Sequence, residues 1–344
     1  MEERVKWLDT AKGVGIILVI LGHAVTTAIR EDSKAAMLLY NFIYFFHMPF
    51  LLYLSGYGYR LSKERYLKLE FKDFVKKRAK ALLIPYVTYS LLVYLFFTLC
   101  NYLPYVGRVL WKAGYGVIPV TKWLHDLVRG DNFYSIHLWY IYALFFMTTL
   151  SFLLHKLFHN TQVFLVAALL LLILTQLYNL EFLGAFCKLM FYYIWFALGV
   201  NFDLRNVSKL QAIIAFMISL AYIIVRFIYL DPNIDLSLRW DITILNIILK
   251  IGFVIAAVKI SFLLTGKVEH VFHFFGENSF GIYLFHQPFF GSCLGTFLYG
   301  FLNMPILLVL IIVVTLSIIC PVIIIRIMRC KHDIIFSKLL LGIR

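Results

Sequence analysis

Imidazole is the side chain whose proton changes place near neutral pH. Three histidines of this 344-residue chain, His23, His47 and His286, fall inside apolar runs. Polar groups in hydrocarbon are costly, so each of them needs a partner or a task. For a lone histidine, a ring bonded to a backbone carbonyl is the commoner outcome. Counted at about 1.5 Å per residue from the cytoplasmic end of each run, His23 lies about 15 Å deep, His47 about 20 Å and His286 about 10 Å. Three imidazoles at similar depth shift the reading toward shared proton-transfer chemistry.

Lys12 and His23 are eleven residues apart. At 100° per residue that is about 20° from full register, so both sit on one helix face about 16 Å apart. A cation at the inner surface aligned with a base in the core suits a long ligand with phosphates at one end and a reactive group at the other, such as an acyl-coenzyme A. A lysine snorkelling to lipid headgroups fits the spacing equally well. Asp9, three residues before Lys12, is placed to orient it or to serve as an acid in the first turn. Around His47 the sequence runs Phe45-Phe46-His47-Met48-Pro49 and then Leu54-Ser55-Gly56. Proline removes a backbone donor, which predicts either an ordinary kink or broken backbone lining a cavity. Ser279 precedes His286 by seven residues, about two turns, so both face one groove.

The elements that must hold these groups are apolar helices. With 62% hydrophobic and 15% charged residues and a mean hydropathy of +0.86, a soluble multidomain protein is excluded, as are disorder, collagen and coiled coil. The chain reads as an all-α integral membrane protein of about ten transmembrane helices, near residues 13–29, 36–59, 81–103, 136–154, 163–178, 185–200, 210–230, 242–264, 280–300 and 305–327. The first run opens on Met1-Glu2-Glu3 and lacks a cleavage site, so it is expected to stay in the mature chain. Lys and Arg gather before the first run, in the even links and in the tail, which places both termini in the cytoplasm. Residues 61–80 form a basic cytoplasmic link fit for an interfacial helix. Residues 104–135, with Trp111, Trp123 and several Gly and Pro, suit a cap on the outer face.

A net charge of +14 raises nucleic acid as a partner, but the basic residues lie in links between apolar runs, where topology, anionic lipids and cofactor phosphates account for them. Nucleic acid is therefore not expected. The five cysteines, Cys100, Cys187, Cys293, Cys320 and Cys330, are far apart and show no metal-ligand spacing. No metal is expected.

Four stretches together resemble the acyltransferase 3 family, membrane enzymes that O-acylate carbohydrates and lipids, and within it the fucose 4-O-acetylase-like group. Residues 4–23, RVKWLDTAKGVGIILVILGH, are similar to its opening motif, although Lys12 stands where arginine is common. Residues 46–60, FHMPFLLYLSGYGYR, resemble its second-helix motif. Residues 137–144, HLWYIYAL, and 276–288, GENSFGIYLFHQP, resemble its later signatures. Lys77, Arg78 and Lys80 resemble the family's basic pair at the third span. The resemblance implies a single acyltransferase domain over residues 1–344 in a bacterial inner or plasma membrane. It implies His23 as base or acyl carrier, acetyl-CoA as cytoplasmic donor, and a cell-surface or lipid-linked carbohydrate as acceptor. Lys12, Lys77, Arg78 and Lys80 are expected to hold donor phosphates. Asp9, His47, Ser55, Ser279 and His286 are expected to shape the cavity. The acceptor is expected to meet residues 104–135 and 231–241, which match no motif.

A glycan or lipid-linked sugar transporter without transferase chemistry is the first alternative. The missing internal repeat and the Lys12–His23 alignment weigh against it. A non-catalytic membrane scaffold is the second.

Overall fold

The computed structural model describes residues 5–112, 114–178, 180–229, 244–330 and 335–341, and every regular element among them is helical. In chain order the helices are α1 (Lys6–Ala24), α2 (Thr27–Asp32), α3 (Lys34–Leu67), α4 (Phe71–Asn101), α5 (Pro104–Lys112), α6 (Val120–Arg129), α7 (Ile136–Phe158) and α8 (Val163–Leu177). There follow α9 (Ala185–Asn201), α10 (Lys209–Tyr229), α11 (Ile244–Leu263), α12 (Gly266–Glu277), α13 (Ser279–Phe285), α14 (Phe289–Phe301), α15 (Ile306–Cys330) and α16 (Ile335–Leu341).

Among the described residues, six helices are long and apolar enough to cross a membrane: α1, α3, α4, α7, the Asn246–Leu263 part of α11, and α15. They fit a multi-pass membrane protein. Ten spans were expected, and the other four runs form shorter apolar helices, Val163–Leu177, Ala185–Asn201, Lys209–Val225 and Phe289–Phe301. Three of these helices are 13 to 17 residues long, up to about 26 Å, somewhat short of a hydrocarbon layer about 30 Å thick, whereas Lys209–Val225 continues as helix to Tyr229 in α10, 21 residues or about 31 Å.

Three expected boundaries change for local reasons. The first run does not continue as helix to residue 29. Val25 leaves helical geometry (φ −82°, ψ 86°) and Thr26 is extended (φ −67°, ψ 165°), so the β-branched pair Val25-Thr26 separates α1 from α2. The ninth run is split, with α13 ending at Phe285 and α14 starting beyond Pro288, which lacks a donor for helix continuation. Within residues 61–80, Leu61 to Leu67 extend α3 and the segment from Phe71 opens α4. Pro49 does not break α3, which runs unbroken for 34 residues.

The chain divides into two compact units, Met1–Arg60 with Leu198–Val322, and Leu61–Ala197 with Ile323–Arg344. In the first, α1 and α12 touch backbone to backbone. A Cβ at Gly13 would stand 1.8 Å from the Phe272 carbonyl oxygen, and one at Gly276 would stand 1.7 Å from that of Asp9. Only glycine permits this approach, which substitutes in a membrane for the hydrophobic drive available in water. The start of α1 is pinned by Trp7, whose ring meets Tyr57 edge-on at 4.9 Å and lies 4.9 Å beneath the Arg205 guanidinium. Arg205 is itself held by Asp203 at 2.6 Å.

In the second unit, Phe74 of α4 stacks on Phe152 of α7 at 4.2 Å. The helix Val120–Arg129 is packed against the C-terminal half of α4 and the start of α7. Tyr86 donates to the Leu127 carbonyl and Tyr142 to that of Val128, each at 2.6 Å, and the Trp123 indole donates to Ser90 at 3.1 Å.

Candidate active site

Within the first unit the three histidines converge. His23 lies in the last turn of α1, His47 on α3 two residues before Pro49, and His286 directly after α13. The His23 and His286 rings are 5.4 Å apart. His47 joins them through Tyr44, one turn earlier on α3. The Tyr44 ring lies 4.7 Å from that of His47 and 6.0 Å from that of His23, and the Tyr44 hydroxyl stands 3.3 Å from His23 Nδ1. His23 stands one residue from the end of α1, about 26 Å along the helix from Lys6.

Hydrogen bonding distinguishes the rings. His47 Nδ1 faces the Ile43 carbonyl at 2.8 Å, and His286 Nδ1 faces the carbonyls of Tyr283 at 2.8 Å and Ile282 at 3.2 Å. A carbonyl only accepts, so both rings in their neutral form carry the proton on Nδ1 and present Nε2 as an acceptor. His23 Nδ1 faces a hydroxyl, which donates or accepts, so the backbone does not dictate its tautomer.

Exposure separates them further. His47 and His286 are 3% and 0% exposed, whereas His23 is half-buried. The partly exposed positions Val14, Ile17, Leu18 and Leu21 form a stripe on the opposite side of α1 from Lys12 and His23. Ile16 and Val19 lie between Lys12 and His23 on their common face and are fully buried. That face is therefore packed in this structure between Lys12 and His23.

At the first end Lys12 Nζ donates to Asp9 Oδ1 at 3.0 Å, with Asp9 almost wholly enclosed. Ser55 Oγ donates to the Leu51 carbonyl at 2.8 Å, and Ser279 Oγ to that of Gly276 at 2.7 Å. Ser55 is eight residues beyond His47, about 12 Å along α3, and Ser279 about 10 Å from His286 along α13. Along its own run each hydroxyl is thus about two turns from the histidine.

Lys77, Arg78 and Lys80 belong to the second unit. Arg78 Nε donates to Thr148 Oγ1 at 3.2 Å, Lys77 Nζ lies 5.6 Å from the Tyr66 ring centre, and Lys80 is exposed. The segment 231–241, expected to meet the acceptor, lies outside the described residues. Among the described residues, no group of three His, Cys, Asp or Glu side chains is placed to hold a metal ion.

The residue missed in the sequence is Tyr44. Its signal was available, since it precedes His47 by three and so shares its face. Among 22 tyrosines that spacing alone did not single it out.

Apolar helices that fit a multi-pass membrane protein thus bring three imidazoles and the Tyr44 hydroxyl together in the first unit. The sequence pattern of the acyltransferase domain family (acyltransferase 3) matches residues 5–326, and the chain belongs to that family. Two curated relatives are both described as nodulation protein NolL. The chain is 38% identical over 88 residues to that of Mesorhizobium japonicum and 37% identical over 87 residues to that of Sinorhizobium fredii. Each match covers 25% of this chain and 23% of the relative, so the chain spans about a quarter of the relatives it matches. No solved structure matches.

Proposed function

We propose that this protein is a membrane O-acyltransferase that moves an acetyl group from cytoplasmic acetyl-CoA to a hydroxyl of a cell-surface or lipid-linked carbohydrate. The observations that carry the reading are that the His23 ring stands with those of His286 and Tyr44, and that His23 shares a helix face with Lys12. Family membership supports the reaction class.

An alcohol ionises far above neutral pH, so its attack on a thioester needs a base in the transition state. Nε2 of His23 takes the hydroxyl proton as the acceptor oxygen bonds to the acyl carbon. The C–S bond then breaks and the proton passes to the departing thiolate, giving an ester and a free thiol. The same balance holds if the acyl group rests on Nε2 between two half-steps. His47 and His286, each fixed by backbone carbonyls, wall the site.

Lys12, oriented by Asp9, meets donor phosphates at the inner surface. A thioester that runs from Lys12 to His23 parts the side chains packed on Ile16 and Val19. On the second unit Lys77, Arg78 and Lys80 keep the role expected of them, attraction of phosphates. Both termini face the cytoplasm, the four shorter apolar helices complete ten spans, and His23 sits near midplane of a bacterial inner or plasma membrane, where a donor from inside meets an acceptor from outside.

The test compares the O-acetyl content of surface glycans, by mass spectrometry, in cells with the gene, without it, and with it restored. Loss and recovery of ester acetyl is expected. Unchanged acetylation would refute the reading.

A further inference from the structure

We propose that Tyr44 is the positioning residue that fixes the working tautomer of His23, an inference that rests on the reading of His23 as the transfer residue. His47 and His286 have Nδ1 tied to carbonyls of their own helices. His23 has Nδ1 facing the Tyr44 hydroxyl instead, at 3.3 Å. For Nε2 to serve as base, the neutral ring must hold its proton on Nδ1. The Tyr44 oxygen accepts that proton's hydrogen bond and supports the imidazolium that forms when Nε2 is protonated. The logic is that of any base oriented by a third group.

The surrounding residues are built to hold Tyr44 there. Its ring stacks on Tyr40, one turn away on α3, at 3.9 Å and 28°. The far face of Tyr40 is covered by the Arg30 guanidinium at 3.9 Å, and Arg30 donates to Thr27 Oγ1 at 2.9 Å. Gly22, immediately before His23, supplies the room, since a Cβ there would stand 2.9 Å from Tyr44 Cε2. The Gly-His pair that ends α1 thus has a physical reason: the glycine lets an aromatic ring pass beside the histidine. A structural packing role would need the Tyr44 ring but not its hydroxyl.

The experiment uses the full chain in membranes of cells that lack it but make the glycan, given radiolabelled acetyl-CoA. Tyr44→Phe keeps the stack and removes the hydroxyl. It is expected to lower the maximal transfer rate about 10- to 100-fold, with the acetyl-CoA concentration for half-maximal rate and the protein level held. Histidine-selective ¹⁵N spectra of the same protein in vesicles are expected to show His23 protonated on Nδ1 in the parent and shifted toward the other tautomer in Tyr44→Phe, with His47 and His286 unmoved. Full activity and an unmoved His23 signal in Tyr44→Phe, beside an inactive His23→Ala, would overturn the role of Tyr44 alone. Transfer retained in His23→Ala would overturn the reading beneath it.

Discussion

The rings of His23 and His286 lie 5.4 Å apart, although 263 residues separate them in the chain. His286 is wholly enclosed, with Nδ1 on two carbonyls, and in the proposed reading it shapes the space beside His23. His286→Gln should reduce the maximal rate of acetyl transfer about tenfold or more while leaving the half-saturating acetyl-CoA concentration within about twofold. Steady-state rates on membranes with matched protein levels decide this. An effect on donor saturation alone would contradict it.

Lys12 gives the opposite signature. Lys12→Ala should raise the acetyl-CoA requirement about tenfold, the loss of one charge-assisted contact of roughly 1.5 kcal/mol. Lys12→Arg should retain donor binding, since the charge is kept and a planar fork for phosphate is gained. Because Lys12 also pairs with the enclosed Asp9, Lys12→Ala should lower the thermal midpoint in detergent as well, and Asp9→Asn combined with it should recover part of that loss.

The backbone contact of α1 with α12 is a stability device. Gly13→Ala and Gly276→Ala each force atoms into contacts under 2 Å with a carbonyl oxygen, and overpacking of that kind costs about 1–3 kcal/mol. Both should reduce the folded fraction, measured as monodisperse protein recovered from membranes. Gly58→Ala, which meets no neighbour within 4 Å, should be neutral by the same measure.

Outside the spans, Asp203 is ionised more readily than an ordinary carboxyl because the Arg205 guanidinium hydrogen-bonds it, an effect larger than the burial that opposes it. A carboxyl depressed on folding contributes stability above its unfolded value and loses it as pH falls below about 4. The thermal midpoint of the parent should therefore drop through that window. Asp203→Asn should be less stable at neutral pH and show a shallower drop.

The helical class was legible because apolar runs leave no other way to satisfy backbone groups in hydrocarbon. That His23, His47 and His286 fall on apolar helices was legible from type and spacing, and their rings lie together around Tyr44. The break at Val25-Thr26 was visible as a β-branched run but was outweighed by unbroken hydropathy. The partnership of Tyr44 with His23 was not legible, since it depends on the absent side chain of Gly22 and on a stack set by Tyr40 and Arg30 from a neighbouring helix. The backbone bonds of Ser55 to Leu51 on its own helix, and of Ser279 to Gly276 at the end of α12, follow from helix geometry that spacing alone does not weigh against a groove.

Replacement of one imidazole reaches the centre of the account. His23→Ala, expressed to the parent level and supplied with radiolabelled acetyl-CoA in membranes that carry their own glycan, should transfer no label above the background of membranes lacking the protein. Label transferred at the parent rate by His23→Ala would contradict the account.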